Sequence, residues 1–331
     1  MTSKPAKHSL TGRAGERAGS SPKRRQGSAL LAVLWLAAAL SAIAFTVANT
    51  VRGESERTAT AMDSLRTYYL AQAGIDRALL HIQWGGTYYK QPMPVLRLQF
   101  PSGEVLVEII PESSKMDVNR ALPVDLIALV AATGVPPDRA SAIARAIVDW
   151  RTLAPGGTFS GFDQYYLGLK PSFRARHASL EEIEELMLVQ GMTPDLFYGR
   201  YERNALGRLL PVAGLKDCLS VYGGLTGFDV NTISPGLMRG IGISAPSVEG
   251  IVARRRAQPI KAMAEIAPFN DGGPGFAKLG LGVSPISTLR ATAHLRLQDG
   301  RLSEVERSVS AMVRFLGLEY NPPYHVMRWY Q

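Results

Sequence analysis

The sequence predicts an α+β fold: a long N-terminal helix and a small antiparallel sheet, with a large all-α insertion carried inside that sheet. Three observations predict it. Residues 28–51 contain no charged side chain, and helical periodicity continues beyond them to residue 83. Segments near both ends of the remaining chain, 95–110 and 289–315, alternate apolar and polar residues as hairpins do. The stretch between those two segments carries almost no strand signal.

The helix comes first. Ser28-Ala29-Leu30-Leu31 opens the apolar run and Arg52 closes it. A helix over residues 28–51 is about 36 Å long, enough for a hydrocarbon layer of about 30 Å. Its few polar residues are Ser28, Ser41, Thr46, Asn49 and Thr50, and a helix conceals Ser and Thr by bonding them to its own carbonyls. Lys23-Arg24-Arg25 precedes the run, so the positive-inside rule places the N-terminus in the cytoplasm and the rest of the chain on the outer side of the membrane. Three readings compete: a cleaved secretory signal, a plain anchor, and a segment cut on its cytoplasmic side that keeps its apolar helix. The run is longer than a secretory core and lacks a small-residue cleavage site at its end. Arg24-Arg25-Gln26-Gly27 before Ser28 resembles a prepilin processing site, with Gly27 and Ser28 flanking the cut. Beyond Arg52, Leu65, Tyr69, Ala73, Leu79 and Ile82 fall near one helical face, and Trp84-Gly85-Gly86 is expected to break the helix.

The 331-residue chain has a net charge of +9, but residues 1–27 hold seven basic residues and a single acidic one. Two-thirds of the net charge therefore belongs to this leader and reports on topology, not on a polyanionic partner. The single cysteine, Cys218, excludes an intramolecular disulfide and reads as a small buried side chain. The five histidines form no metal-ligand spacing.

Pro101-Ser102-Gly103 is the turn of the first hairpin and Asp299-Gly300 that of the second. The insertion between them contains a weak repeat. Asp117-Val118-Asn119 precedes a helix at 123–133, a glycine hairpin at Gly134 and a second helix at 139–150. Asp229-Val230-Asn231 precedes a helix at 235–239, a hairpin around Gly240–Gly242 and a helix at 246–256. Another helix is expected at 180–189 with Ser179 and Glu182 as its capping box, and a short one after Thr193-Pro194-Asp195. The paired units resemble helix-hairpin-helix or SAM-like modules. In DNA-binding versions a glycine hairpin offers N–H groups to phosphate, a role for which Arg254-Arg255-Arg256 are candidates. Pro136-Pro137-Asp138 in the first hairpin opposes it, because proline lacks the donor and aspartate repels the anion.

Taken in order, S-K-M-D-V-N-R-A, A-I-A-R-A-I-V-D-W-R, S-L-E-E-I-E-E-L-M-L-V-Q-G-M-T-P, L-S-V-Y-G and F-D-V-N-T-I-S-P resemble the GspK family of minor pseudopilins of type II secretion. The resemblance covers residues 24–83 and about 114–267. It implies a pilin-like fold divided into a leader (1–27), a transmembrane and pilin helix (28–83), a sheet (84–113 and 285–331) and an inserted helical domain (114–284). It also implies a position at the pseudopilus tip. The implied partners are I- and J-type minor pseudopilins, the major pseudopilin, the prepilin peptidase and the inner-membrane assembly platform. Pilins of this kind carry Glu at the fifth mature position. Here that position is Ala32, a departure the K-type proteins share and one that suits a subunit with no neighbour above it. Small residues at Ala29, Ala32, Ala37, Ala38, Ala39, Ser41 and Ala42 suit helix packing in lipid.

Some family members bind calcium after the D-W-R segment, which makes Asp149 and Asp163 candidate ligands. Thr152 and Gly161-Phe162-Asp163 depart from that pattern, and a hard cation needs six or more oxygen ligands. From the residues alone, both aspartates read as capping or hydrogen-bonding groups, and no cofactor is expected. No nucleophile–base–acid constellation or phosphate loop is visible, so the expectation is a non-enzymatic assembly subunit. The rival readings are a membrane-anchored DNA-binding protein of a DNA-uptake system and a PilX-like minor pilin.

Overall fold

A computed structural model describes residues 26–88, 94–154, 159–203, 207–281 and 284–330. The leader expected over 1–27 lies, up to residue 25, outside the described residues. Helix α1 runs from Gln26 to Tyr88, and the chain divides by its contacts into two units, residues 1–62 and 63–331.

In the first unit the helix is exposed along the whole apolar run, with Leu30, Trp35 and Phe45 each at least 70% exposed. It is long and apolar enough to cross a membrane. Thr46 donates its hydroxyl to the Ala42 carbonyl (2.8 Å) and Thr50 to that of Thr46 (2.9 Å), so these side chains present no unpaired hydroxyl to lipid.

In the second unit α1 packs on a sheet. The buried stripe is Thr67, Leu70, Ala71, Gly74, Ile75, Ala78 and Leu79, at i, i+3/i+4 spacing. This corrects the expected face: Leu65 and Tyr69 are exposed. Two apolar stripes share the helix, and the sheet selects the one with small residues because they let the backbones approach. A Cβ built on Gly74 would stand 2.5 Å from Val105 Cγ1. The expected break at Trp84-Gly85-Gly86 is also corrected, because the helix continues to Tyr88. Two glycines cost a helix only about 1 kcal/mol each relative to alanine, which a long, already nucleated helix tolerates.

Strands β1 (Val95–Phe100) and β2 (Gly103–Pro111) form the first expected hairpin. The chain then leaves the sheet. Within the insertion come β3 (Met116–Asp117), α2 (Pro123–Ala132), α3 (Pro137–Arg151), α4 (Asp163–Leu167) and a 3₁₀ turn, Ile183–Leu188. They are followed by α5 (Pro194–Tyr198), β4 (Gly199–Arg203), β5 (Leu209–Ala213), β6 (Leu219–Ser220) and β7 (Phe228–Asp229). The insertion closes with α6 (Pro235–Gly240), α7 (Ala245–Ala257), a 3₁₀ turn Met263–Phe269 and β8 (Leu279–Gly280). The chain returns as β9 (Ile286–Arg296), β10 (Leu302–Phe315) and β11 (Tyr324–Tyr330). The second expected hairpin is β9–β10, and Gly300 takes a positive φ of 83° at its turn.

The main sheet has the order β1-β2-β9-β10-β11 and is antiparallel throughout. Because β2 and β9 are neighbours and Pro111 pairs with Ser287, the two ends of the insertion lie side by side. A long insertion at such a point leaves every ladder bond of the sheet in place. The sheet core comprises Ile75, Ala78, Val105, Val107, Leu289, Ala291, Val309 and Val313. The insertion has its own core around Leu126, Leu129, Ile143, Ile147, Tyr166, Phe197 and Ile233.

Two local expectations are corrected here. Where an α-helix was expected over 180–189 there is a 3₁₀ turn at Ile183–Leu188, and the cap is Glu185, whose Oε1 accepts from the backbone N–H groups of Glu181 (2.7 Å) and Glu182 (3.2 Å). The β4–β5 ribbon was not expected. It is mostly exposed, so its sequence lacks the alternation that marks a strand with one buried face.

Candidate functional site

The repeat read from sequence becomes a shared set of bonds. Asn119 donates from Nδ2 to the Leu180 carbonyl (2.9 Å) and accepts at Oδ1 from the Leu180 N–H (2.8 Å). Asn231 does the same with Ile260, at 2.9 and 2.7 Å. Arg151 donates to the carbonyls of Val118 and Ala121, and Arg255 donates to those of Val230 and Ile233. Glu185 caps the first 3₁₀ turn, and Glu265 caps the second through the N–H groups of Lys261 and Ala262. Gly134 and Gly242 occupy the left-handed region at φ 87° and 95° between paired helices, a conformation that other residues adopt only with strain. Each unit thus ties an extended D-V-N segment to its second helix through a guanidinium, and to its 3₁₀ turn through an amide. Burial lowers the pKa of Arg151 and of Arg255, opposed by Asp117 and Asp229 respectively.

These bonds bear on the basic residues singled out for phosphate. Arg255 is committed to backbone carbonyls and Arg254 is ion-paired with Glu265. The Ser244 N–H, at the start of α7, donates to Asp271 Oδ2 (2.9 Å), and the Ser247 hydroxyl reaches the same oxygen (3.2 Å). An internal carboxylate already stands where a phosphate would bind, and these bonds hold Asp271 well below the usual carboxylate range. In the second repeat these groups are thus engaged in internal packing.

The two aspartates considered for calcium lie in one cluster. Asp163 is buried and accepts from the Ser160 N–H (2.8 Å), while both its oxygens face His177 Nε2 (3.1 and 3.0 Å). Asp149 Oδ2 accepts from the Ser160 hydroxyl (3.0 Å), and the Asp149 carbonyl faces His177 Nδ1 (3.2 Å). Both ring nitrogens of His177 thus face oxygen acceptors, which a doubly protonated imidazolium satisfies. Burial by itself lowers the His177 pKa, but the Asp163 carboxylate outweighs it and the net shift is upward. Asp163 is pushed up by burial and pulled further down by Ser160 and His177, for a net lowering. Among the described residues no group of three or more His, Cys, Asp or Glu is placed to hold a metal. Among the described residues, His177 Nε2 occupies both oxygens of the buried carboxylate, whereas calcium takes six or more oxygen ligands.

The residues assigned to assembly lie on α1. Ala29, Ala32, Ala37, Ala38, Ala39, Ser41 and Ala42 are all exposed, and Ala37/Ser41 and Ala38/Ala42 stand four residues apart, one above the other. Gly27 and Ser28 fall in the first turn of the same helix. Further along, Leu65, Tyr69, Leu80 and Trp84 are each half or more exposed and recur at helical spacing. Of these, the sequence periodicity singled out Leu65 and Tyr69, but not Leu80, and Trp84 read only as part of a helix break. Cys218 is fully buried with Sγ 3.0 Å from Ser234 Oγ, and burial pushes its thiol up to about 12, so it is an inert core side chain.

A long N-terminal helix packed on an antiparallel sheet, with a helical domain inserted between adjacent strands, defines a pilin-like class of fold. Residues 112–201 match the family model described as Type II secretion system (T2SS), protein K. The whole fold is similar to one chain of the crystal structure of the GspK-GspI-GspJ complex from the enterotoxigenic Escherichia coli type 2 secretion system. The TM-score is 0.53 at 16% identity, covering 83% of this chain and 98% of that one. No curated protein matches the sequence. The family match over residues 112–201 and the similarity of fold are both to K-type proteins of type II secretion.

Proposed function

We propose that this chain is a non-enzymatic subunit of the tip of a type II secretion pseudopilus. It initiates or caps assembly with I- and J-type minor pseudopilins, in support of protein export across the outer membrane. The observation that carries the reading is the K-protein segment, residues 112–201, set inside a pilin-like sheet. In this reading the prepilin peptidase cuts between Gly27 and Ser28. Helix α1 then anchors the chain in the inner membrane with its N-terminus cytoplasmic and residues 63–331 periplasmic. The helix joins the major pseudopilin and the assembly platform through its small residues. Ala32 offers no carboxylate to a subunit above, which suits a terminal place, and the insertion supplies the bulk that blocks further addition. The reading requires no cofactor.

Exposed Leu65, Tyr69, Leu80 and Trp84 supply an apolar stripe for the helices of the two minor partners. Replacing Leu65 and Leu80 together by Arg is expected to reduce co-purification with I- and J-type subunits at least tenfold and leave the melting transition of the protein unchanged. Mass spectrometry of the mature protein is expected to find an N-terminus at Ser28. A chain starting at Met1 or beyond residue 48, or co-purification insensitive to the double substitution, overturns the reading.

A further inference from the structure

A cleft of about 310 Å³ lies between the sheet and the insertion, walled by the start of the insertion, residues 181–184, 216–217 and 219–222, and strands β9, β10 and β11. Its hydrogen bonding is incomplete in one direction only. The Glu112 side chain is wholly buried; its Oε1 accepts from the Thr288 hydroxyl (2.7 Å) and lies 3.5 Å from Lys115 Nζ, while Oε2 has no donor. Glu184 repeats the pattern, with Oε1 3.3 Å from Lys216 Nζ and Oε2 buried without a donor. Both residues line this cleft. Two carboxylate oxygens withdrawn from water and lacking partners mark the place of an absent donor. Five carboxylates face four basic side chains across the space, so a cationic donor suits it better than a neutral one. Burial, followed by the charge of Glu184, pushes Tyr330 on the same wall up to about 12, in keeping with a negative local potential.

We propose that this cleft binds a primary ammonium group carried on a short alkyl chain. The ammonium has three donors and no acceptor, and so matches oxygens that lack only a donor. The Lys115 contact it must compete with is at the limit of hydrogen-bond range, and the Glu184 side chain is 29% exposed. Met312 and Met327 on the cleft wall offer adaptable apolar surface to the alkyl stem. Two sources carry this chemistry, a free amine and a lysine side chain of another protein.

The test uses the full chain in detergent, titrated by calorimetry with n-butylamine and separately with Nα-acetyl-lysine methylamide. Saturable binding of at least one probe is expected, weakened tenfold or more by Glu112→Gln and by Glu184→Gln, and absent for the Nε-acetylated lysine derivative. Binding of both probes indicates a site for free amines as well, and binding of the lysine derivative alone indicates a protein partner. No saturable binding of either probe, or binding that survives both substitutions, overturns the proposal. If Glu112→Gln does not fold, Glu184→Gln decides the question, because its side chain is partly exposed. The result is independent of the assembly reading, whose tests concern the N-terminus and the stripe on α1.

Discussion

Single side chains hold the insertion together. Asn231 satisfies both backbone groups of Ile260, and removing its amide leaves them without partners. Asn231→Ala is expected to destabilise the protein by about 2 kcal/mol, measured by urea denaturation. Asn119→Ala is expected to act in the same way through Leu180. The Asp163–His177 pair makes a pH-dependent contribution. Because the His177 pKa is raised on folding, its stabilisation is fully present below the unfolded value of about 6.5 and is lost as pH rises through the folded value. Because the Asp163 pKa is lowered, its share is lost as pH falls through its folded value, below 3.8. His177→Ala is therefore expected to lower the denaturation midpoint relative to the parent at pH 5 and to lose that difference at alkaline pH. An equal deficit at every pH contradicts the ion pair.

At the scale of elements, the contact of α1 with the sheet depends on the absence of a side chain at residue 74. Gly74→Leu would drive atoms into Val105 and is expected to cost about 1–3 kcal/mol, read as a lower thermal midpoint. The helix shows why periodicity alone misassigned its buried face. Leu65 and Tyr69 are apolar at helical spacing, and so are Leu70, Ile75 and Leu79, so apolar spacing alone does not separate the two stripes. Close packing selects the smaller residues, and no sum over the sequence expresses that. The 3₁₀ turn at Ile183–Leu188 has a similar lesson. Glutamates at 181, 182, 184 and 185 read as helix formers, yet Glu185 spends its carboxylate on capping and the turn ends after six residues.

At the scale of the molecule, the insertion and the sheet are joined where two neighbouring strands end. Linking Pro111 to Ile286 by a short turn is therefore expected to leave the sheet and its helix foldable. Residues 63–111 joined to 286–330 should melt cooperatively, with the β-rich circular dichroism of the five-stranded sheet. Loss of cooperative melting would mean that the sheet depends on the insertion. The separate cores of the two parts are the physical basis for this expectation.

The sequence by itself determined the apolar helix, both hairpins and the paired helices of the repeated D-V-N units, though not the six short strands of the insertion, because each rests on local periodicity, turn chemistry or side-chain type. Only the tertiary structure decided which stripe of α1 is buried and that Arg254 and Arg255 are consumed by Glu265 and backbone carbonyls. It alone placed His177 against Asp163, and it alone left two glutamate oxygens unpartnered in the cleft between sheet and insertion. Each of these depends on groups far apart in the chain, and local propensity carries no information about which distant atom a side chain will meet.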